Sequence, residues 1–161
     1  MAMTMSGEVQ LAAPQEEVWA KLNDTEVLKA CIPGCETLEK LSDTEFTAVA
    51  TNKVGPVKAR FKGKVRLTDL DPPNGYRISG EGDGGIAGFA KGGATVQLSA
   101  VDANATVLSY NVEAQIGGKL AQLGQRLVNG AAKKMADQFF ERFASAVNPA
   151  ATPDGANNPG A

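Results

Sequence analysis

The chain has no histidine among its 161 residues. That removes Ser-His-Asp and Cys-His catalysis, histidine-ligated zinc and haem, and the usual proton shuttle near neutral pH. Its only two cysteines are Cys31 and Cys35. They are too few for a disulfide framework and, with no histidine and no second pair, too few for a zinc site. No run approaches the ~18 apolar residues of a membrane span. The first residues, Met1 to Gly7, lack the basic stretch and apolar core of a secretory signal. A net charge of −2 gives no electrostatic case for nucleic acid. These absences describe a soluble, reduced, cytoplasmic protein with no metal and no cofactor.

What is present is most informative in one segment. From Val57 to Leu67 every even position is basic and every odd position is apolar or small. Side chains alternate faces along a strand. Lys58, Arg60, Lys62, Lys64 and Arg66 therefore share one face, and Val57, Ala59, Phe61, Gly63, Val65 and Leu67 share the other. This is the pattern of an antiparallel sheet with one wet and one buried side.

Met3–Leu11 reads as a first strand. Pro14 suits the first turn of a helix whose apolar side is Val18, Trp19 and Leu22. Asn23-x-x-Glu26 resembles a capping box and starts a second short helix, about 24–30, which ends at Pro33-Gly34. Strands follow at about 36–42, 45–53, 57–70, 76–83, 89–101 and 105–116, with short connections that imply a meander. The chain closes with a helix over about 118–147. Leu120, Leu123, Leu127, Ala131, Met135, Phe139 and Phe143 recur there at spacings of three and four, and at 1.5 Å per residue it spans roughly 45 Å. Residues 148–161 are too poor in apolar side chains to join a core and are expected to be disordered. The fold class is α+β. A seven-stranded antiparallel sheet wraps a long C-terminal helix, with two short helices after the first strand, as one domain over 1–147. This is the helix-grip arrangement, which commonly leaves a cavity.

Several segments carry a more specific resemblance. Ala13-Pro14, Val18-Trp19 and Asn23-Asp24 resemble the start of Bet v 1/START-like (polyketide cyclase superfamily) domains. Val27 to Glu36, with its Cys-Ile-Pro-Gly-Cys core, resembles the carbon monoxide dehydrogenase G-subunit family. So do Val54-Gly55-Pro56-Val57, Phe61-Lys62-Gly63, Ala87 to Gly92 and Gly117 to Gly124. The resemblance covers about residues 3–147. It implies a hydrophobic cavity and an accessory role beside a molybdenum carbon monoxide dehydrogenase or related hydroxylase, by membrane recruitment of that enzyme or by binding a lipid-like quinone as electron acceptor. Some family members continue through a low-complexity linker into a hydrophobic C-terminal anchor. This chain has the linker-like tail, and direct insertion is not expected; the expected location is cytoplasmic, with peripheral contact at the inner membrane face.

The residues themselves support a cavity. Positions opposite the helix include Ala48, Ala50, Ala59, Gly63, Gly80, Ala94 and Ala114, and the helix contains Gly124 and Gly130. So many small residues do not fill a core at the ~0.74 density of protein interiors, unless sheet and helix approach more closely, which small residues also permit. The expected lining is Phe46, Phe61, Tyr76, Ile78, Phe89, Val96, Tyr110, Leu123, Gly124 and Leu127, with Tyr76 or Tyr110 as a polar contact for the ligand's head. The glycine-rich stretch 80–93 reads either as a flexible hairpin with bulges or as a lip at the cavity mouth that uses Ile86 and Phe89. It is no phosphate loop, since no Gly-Lys-Ser/Thr ends it.

The basic row reads as a solvated face with cross-strand pairs, Lys64 facing Glu81 and Lys62 facing Asp83. Lys58, Arg60 and Arg66 have no evident acidic partner, which leaves the row as a docking surface for an anionic lipid or an acidic partner. Cys31 and Cys35 read as structural, since Cys31 falls at a helix C-terminus that disfavours a thiolate. Glu8, Glu45, Glu81, Asp83 and Glu113 fall on outward faces, and no nucleophile–base pair is visible. No catalytic residue is assigned, so the expected protein is not an enzyme. Two functions follow: a carrier of a quinone or other isoprenoid lipid that serves a carbon monoxide dehydrogenase-type enzyme, or an interaction module that works through its basic face without a ligand.

Overall fold

The order of elements follows the alternation of patterns along the chain. The computed structural model describes residues 1–147; the tail, 148–161, lies outside the described residues. Strand β1 (Ala2–Leu11) is followed by helices α1 (Gln15–Leu22) and α2 (Thr25–Cys31). Then come β2 (Cys35–Lys40), β3 (Glu45–Val54), β4 (Val57–Asp71), β5 (Gly75–Asp83), a 3-10 turn (Gly85–Ala87), β6 (Phe89–Asp102) and β7 (Ala105–Gly117). Helices α3 (Lys119–Gln122) and α4 (Gln125–Val147) complete the domain.

The strands form one seven-stranded sheet in the order β1-β7-β6-β5-β4-β3-β2, antiparallel at every pairing. β1 and β2 are therefore opposite edges, and α1 and α2 carry the chain from one to the other. The expected helix-grip architecture is the observed one. Lys62 stands opposite Asp83 and Lys64 opposite Glu81, as the turn chemistry implied. Lys91 faces Glu81, and all five cations of β4 are exposed.

Local capping differs in one detail. Asp24, not Asn23, caps α2: its carboxylate accepts from the backbone N–H groups of Glu26 and Val27. Asn23 instead ends α1 and donates its amide to the Trp19 carbonyl at 2.9 Å.

The larger difference is the final helix. It is not continuous over 118–147, because Gly124 takes φ +94, a region open mainly to glycine. The turn before it closes with tight bonds from Leu123 N–H to the Leu120 carbonyl and from Gly124 N–H to the Ala121 carbonyl. α4 then starts afresh with 23 residues, roughly 35 Å of helix. The break rotates the buried stripe. Leu120, Val128, Phe143 and Val147 are buried, whereas Leu123, Met135 and Phe139 are half-buried. Leu127, expected in the core, is 40% exposed. Leu127→Ala is accordingly expected to cost no more than about 1 kcal/mol in urea denaturation, as at exposed positions, not the ~2–5 kcal/mol of a core leucine.

Candidate functional site

The inner face of the sheet and α4 enclose two hydrophobic clusters instead of one. The first gathers α1, α2 and the C-terminal half of α4 around Val18, Leu22, Tyr76, Leu108 and Phe143. The second gathers α3 and the start of α4 around Met3, Ile116, Leu120 and Val128. Between them, Ala48, Ala50 and Ala94 on the sheet and Ala131, Met135 and Ala136 on α4 belong to neither cluster, and all are half-buried. α4 comes closest to α1, α2, β1 and β3 and stands further from the middle strands β4, β5 and β6. The sheet's share of this band, Ala48, Ala50 and Ala94, is made of small side chains on the inner face between the two clusters.

Not every small residue there signals space. A Cβ on Gly63 would lie 2.8 Å from the Glu81 carbonyl oxygen, and one on Gly92 would meet the Glu113 carbonyl more closely still. These glycines mark close backbone approach where the sheet curls. Gly124 belongs to the helix break, and Ala59 is 5% exposed and packed. The alanines are what keep the band narrow in side-chain volume.

The residues expected to line a chamber are dispersed around this band. Phe46, Tyr76 and Val96 are buried in the first cluster, with Ile78 and Tyr110 packed against it. Phe61 and Leu123 pack against the second. Tyr76 packs at a tilt against Trp19, with ring centroids 5.3 Å apart, and donates its hydroxyl to the Leu22 carbonyl at 3.5 Å. Burial pushes its phenol up to about 12. Tyr110 stacks on Phe140 at 5.1 Å and lies over Gly7, where a Cβ would come within 2.6 Å of its hydroxyl. Phe89 cannot line the interior. It has the same strand parity as Lys91, on the outer face, and is 46% exposed. Leu127 lies in a groove between α4 and the β3–β4 turn.

The raised Tyr76 phenol has a pH consequence. Between the ordinary value near 10 and about 12 the unfolded chain has lost this proton and the folded chain has kept it. Stability contributed by the neutral phenol is therefore complete below pH ~10 and is lost as pH rises toward 12. In a Tyr110→Phe variant, absorbance at the phenolate band should report a single late ionisation, coincident with loss of helical circular dichroism.

The outer face is also shaped. Arg60 pairs with Glu36 at 3.0 Å and Arg66 with Glu45 at 3.4 Å. The sequence predicts no partner for either arginine; Glu45 comes from β3, next to β4, and Glu36 reaches across β3 from β2. Hydrogen bonds from Thr51 and Arg60 hold the Glu36 carboxyl below its ordinary value. Lys58, Lys62, Lys64 and Lys91 make no ion pair among the described residues. Lys62, Lys64, Lys91, Ile86 and Phe89, with the carboxylates of Glu81 and Asp83, line an outer groove of about 800 Å³. Ile86, at the tip of the 3-10 turn, is 85% exposed.

Burial raises both cysteine thiols above their ordinary value, so neither site favours a thiolate. No group of three or more potential metal ligands lies together among the described residues. No helix among them is long and apolar enough to cross a membrane. Sequence reasoning named Ile86 as part of a lip at a cavity mouth, whereas it stands on the outer groove, and it missed Arg126 and Lys134 altogether. The spacing Arg126, Gly130, Lys134 was the available signal, since intervals of four share a helix stripe.

Comparison with known proteins bears on this geometry. No curated protein matches the chain significantly. Among solved structures, a conserved protein from Geobacillus kaustophilus is 31% identical with a TM-score of 0.86, over 92% of this chain and 97% of that one. The Zhui aromatase/cyclase from Streptomyces is 12% identical with a TM-score of 0.70, over 96% and 99%. A START superfamily protein from Mycobacterium smegmatis is 13% identical with a TM-score of 0.70, over 91% and 97%. The last two establish likeness of fold alone. The family model for the carbon monoxide dehydrogenase G subunit (CoxG) matches residues 7–148, nearly the whole domain, and the chain belongs to that family.

Proposed function

We propose that the protein is a non-enzymatic accessory subunit that holds an apolar lipid, a quinone or a related isoprenoid, between sheet and α4. It presents that lipid to a carbon monoxide dehydrogenase-type enzyme at the inner membrane face. The observation that carries the reading is the divided core: small residues line the band beneath α4, and the family match supplies the partner class. A quinone needs apolar walls and one or two polar contacts at its head. Tyr76 already spends its hydroxyl on Leu22. Tyr110 is the better head contact, because its hydroxyl has no protein partner among the described residues. Native mass spectrometry of the purified protein with lipid extraction, followed by a thermal-shift assay with a short-chain menaquinone analogue, tests the reading. Co-purified isoprenoid and a raised melting temperature are expected; neither appearing would overturn it.

Docking falls to the outer face. Ile86 and Phe89 stand beside Lys62, Lys64 and Lys91, none in an ion pair among the described residues, with Glu81 and Asp83 in the same groove, and each lysine near an anionic membrane contributes about 1 kcal/mol. The same groove favours a second reading, an interaction module without a ligand. Reversing Lys58, Lys62 and Lys64 should weaken binding to anionic vesicles or to the partner enzyme, more so at low salt. Reversing Arg60 and Arg66 should do less, since Glu36 and Glu45 already neutralise them. Equal effects from the two sets would refute a role for the unpaired lysines.

A further inference from the structure

Arg126, Gly130, Lys134 and Gln138 follow one another along α4 at intervals of four and share one stripe. That stripe borders a groove of about 630 Å³ between α4 and the β3–β4 turn, within the ~300–1,000 Å³ of small-molecule sites. Leu123, Leu127, Ala131 and Met135 provide its apolar surface. Its cations are Lys53, Arg126 and Lys134, and no carboxylate lines it. None of the three forms an ion pair among the described residues. In a chain with net charge −2, a groove lined by cations alone departs from the average surface.

The room in the groove follows from two glycines. Gly55 at φ +57 turns the chain beneath Leu127, where a Cβ would lie 2.7 Å from the leucine Cδ2. A Cβ on Gly130 would meet nothing within 4 Å. A leucine left 40% exposed and three cations that make no ion pair among the described residues both suit one kind of ligand, an anion joined to a hydrocarbon chain. We propose that this groove binds a free single-chain carboxylate amphiphile of the fatty-acid type. Its carboxylate lies among Lys53, Arg126 and Lys134, and its chain runs along Leu127, Ala131 and Met135. The concave shape suits a single molecule that has left the bilayer, not a bilayer plane. The groove adjoins the band between the two clusters and shares Ala131 and Met135 with it, but its cations are its own, and its case does not depend on a ligand in the band.

Isothermal titration with oleate below its micelle concentration tests the proposal. Oleate is expected to bind the parent chain, about tenfold or more tighter than oleyl alcohol, with affinity falling as salt rises. The triple variant Lys53→Gln/Arg126→Gln/Lys134→Gln should lose about tenfold or more, the loss expected when charge-assisted contacts are removed. Gly130→Leu, which fills the groove at a position with open space, should abolish binding while helical circular dichroism is retained. Three results overturn the proposal: equal affinity for oleate and oleyl alcohol, undiminished binding to the triple variant, or binding only to phosphatidylglycerol vesicles with none to free oleate. The menaquinone-analogue thermal shift, measured on the same triple variant, is expected to be unchanged and keeps this site's failure distinct from failure of the quinone reading.

Discussion

Phe143→Ala is expected to be the most damaging single substitution, at about 3–5 kcal/mol, the range for deleting a buried aromatic side chain. Phe143 is 0% exposed, stacks against Phe139 at 5.7 Å and sits at the centre of the first cluster. That cluster fastens α1 and α2 to the C-terminal half of α4, so the cavity left behind cannot collapse without moving three elements. Urea denaturation monitored by circular dichroism measures the effect. A loss below about 1 kcal/mol would mean that the helices are held by something other than this cluster.

The second large effect concerns the band between the clusters. Ala48→Leu/Ala94→Leu adds side-chain volume on the sheet's inner face, where neither alanine belongs to a packed cluster. If the band is ligand space, the double variant should lose the menaquinone-analogue thermal shift entirely. Its own stability should change by less than the ~1–3 kcal/mol that overpacking a filled core costs. A stability loss in that upper range, with no shift in the parent chain either, would mean that α4 closes on the sheet and the protein works through its surfaces. Gly124→Leu is not an equivalent test. Its φ of +94 strains any L residue, so the variant would disturb the helix junction before it filled any space.

Much of the architecture is present in short-range pattern. The alternation over Val57–Leu67 announces which face of β4 is wet, and the structure keeps every one of those positions on its expected side. The turn at Asp71–Gly75, together with a bulge between Thr68 and Asp71, brings Lys62 to Asp83 and Lys64 to Glu81, a register set locally by the connection. The periodicity of the last thirty residues announces a helix but not its break. Gly124 in a helical pattern reads as a modest propensity loss, and nothing local distinguishes that from a left-handed turn.

Composition and pattern alone determined the α+β class, the seven strands and their order of appearance, the basic face, and the absence of histidine-dependent chemistry. These depend on side-chain period and on residue identity, both of which are local. Tertiary structure alone decided which acids neutralise Arg60 and Arg66, because Glu45 reaches Arg66 from the adjacent β3 and Glu36 reaches Arg60 from β2, one strand further. It decided that Phe89 faces outward and that Leu127 lies on a cationic groove. It also divided the core in two, leaving Ala48, Ala50 and Ala94 outside both clusters, a matter of the distance between the curled sheet and α4. That distance is set by contacts between residues far apart in the chain, and no local pattern encodes it.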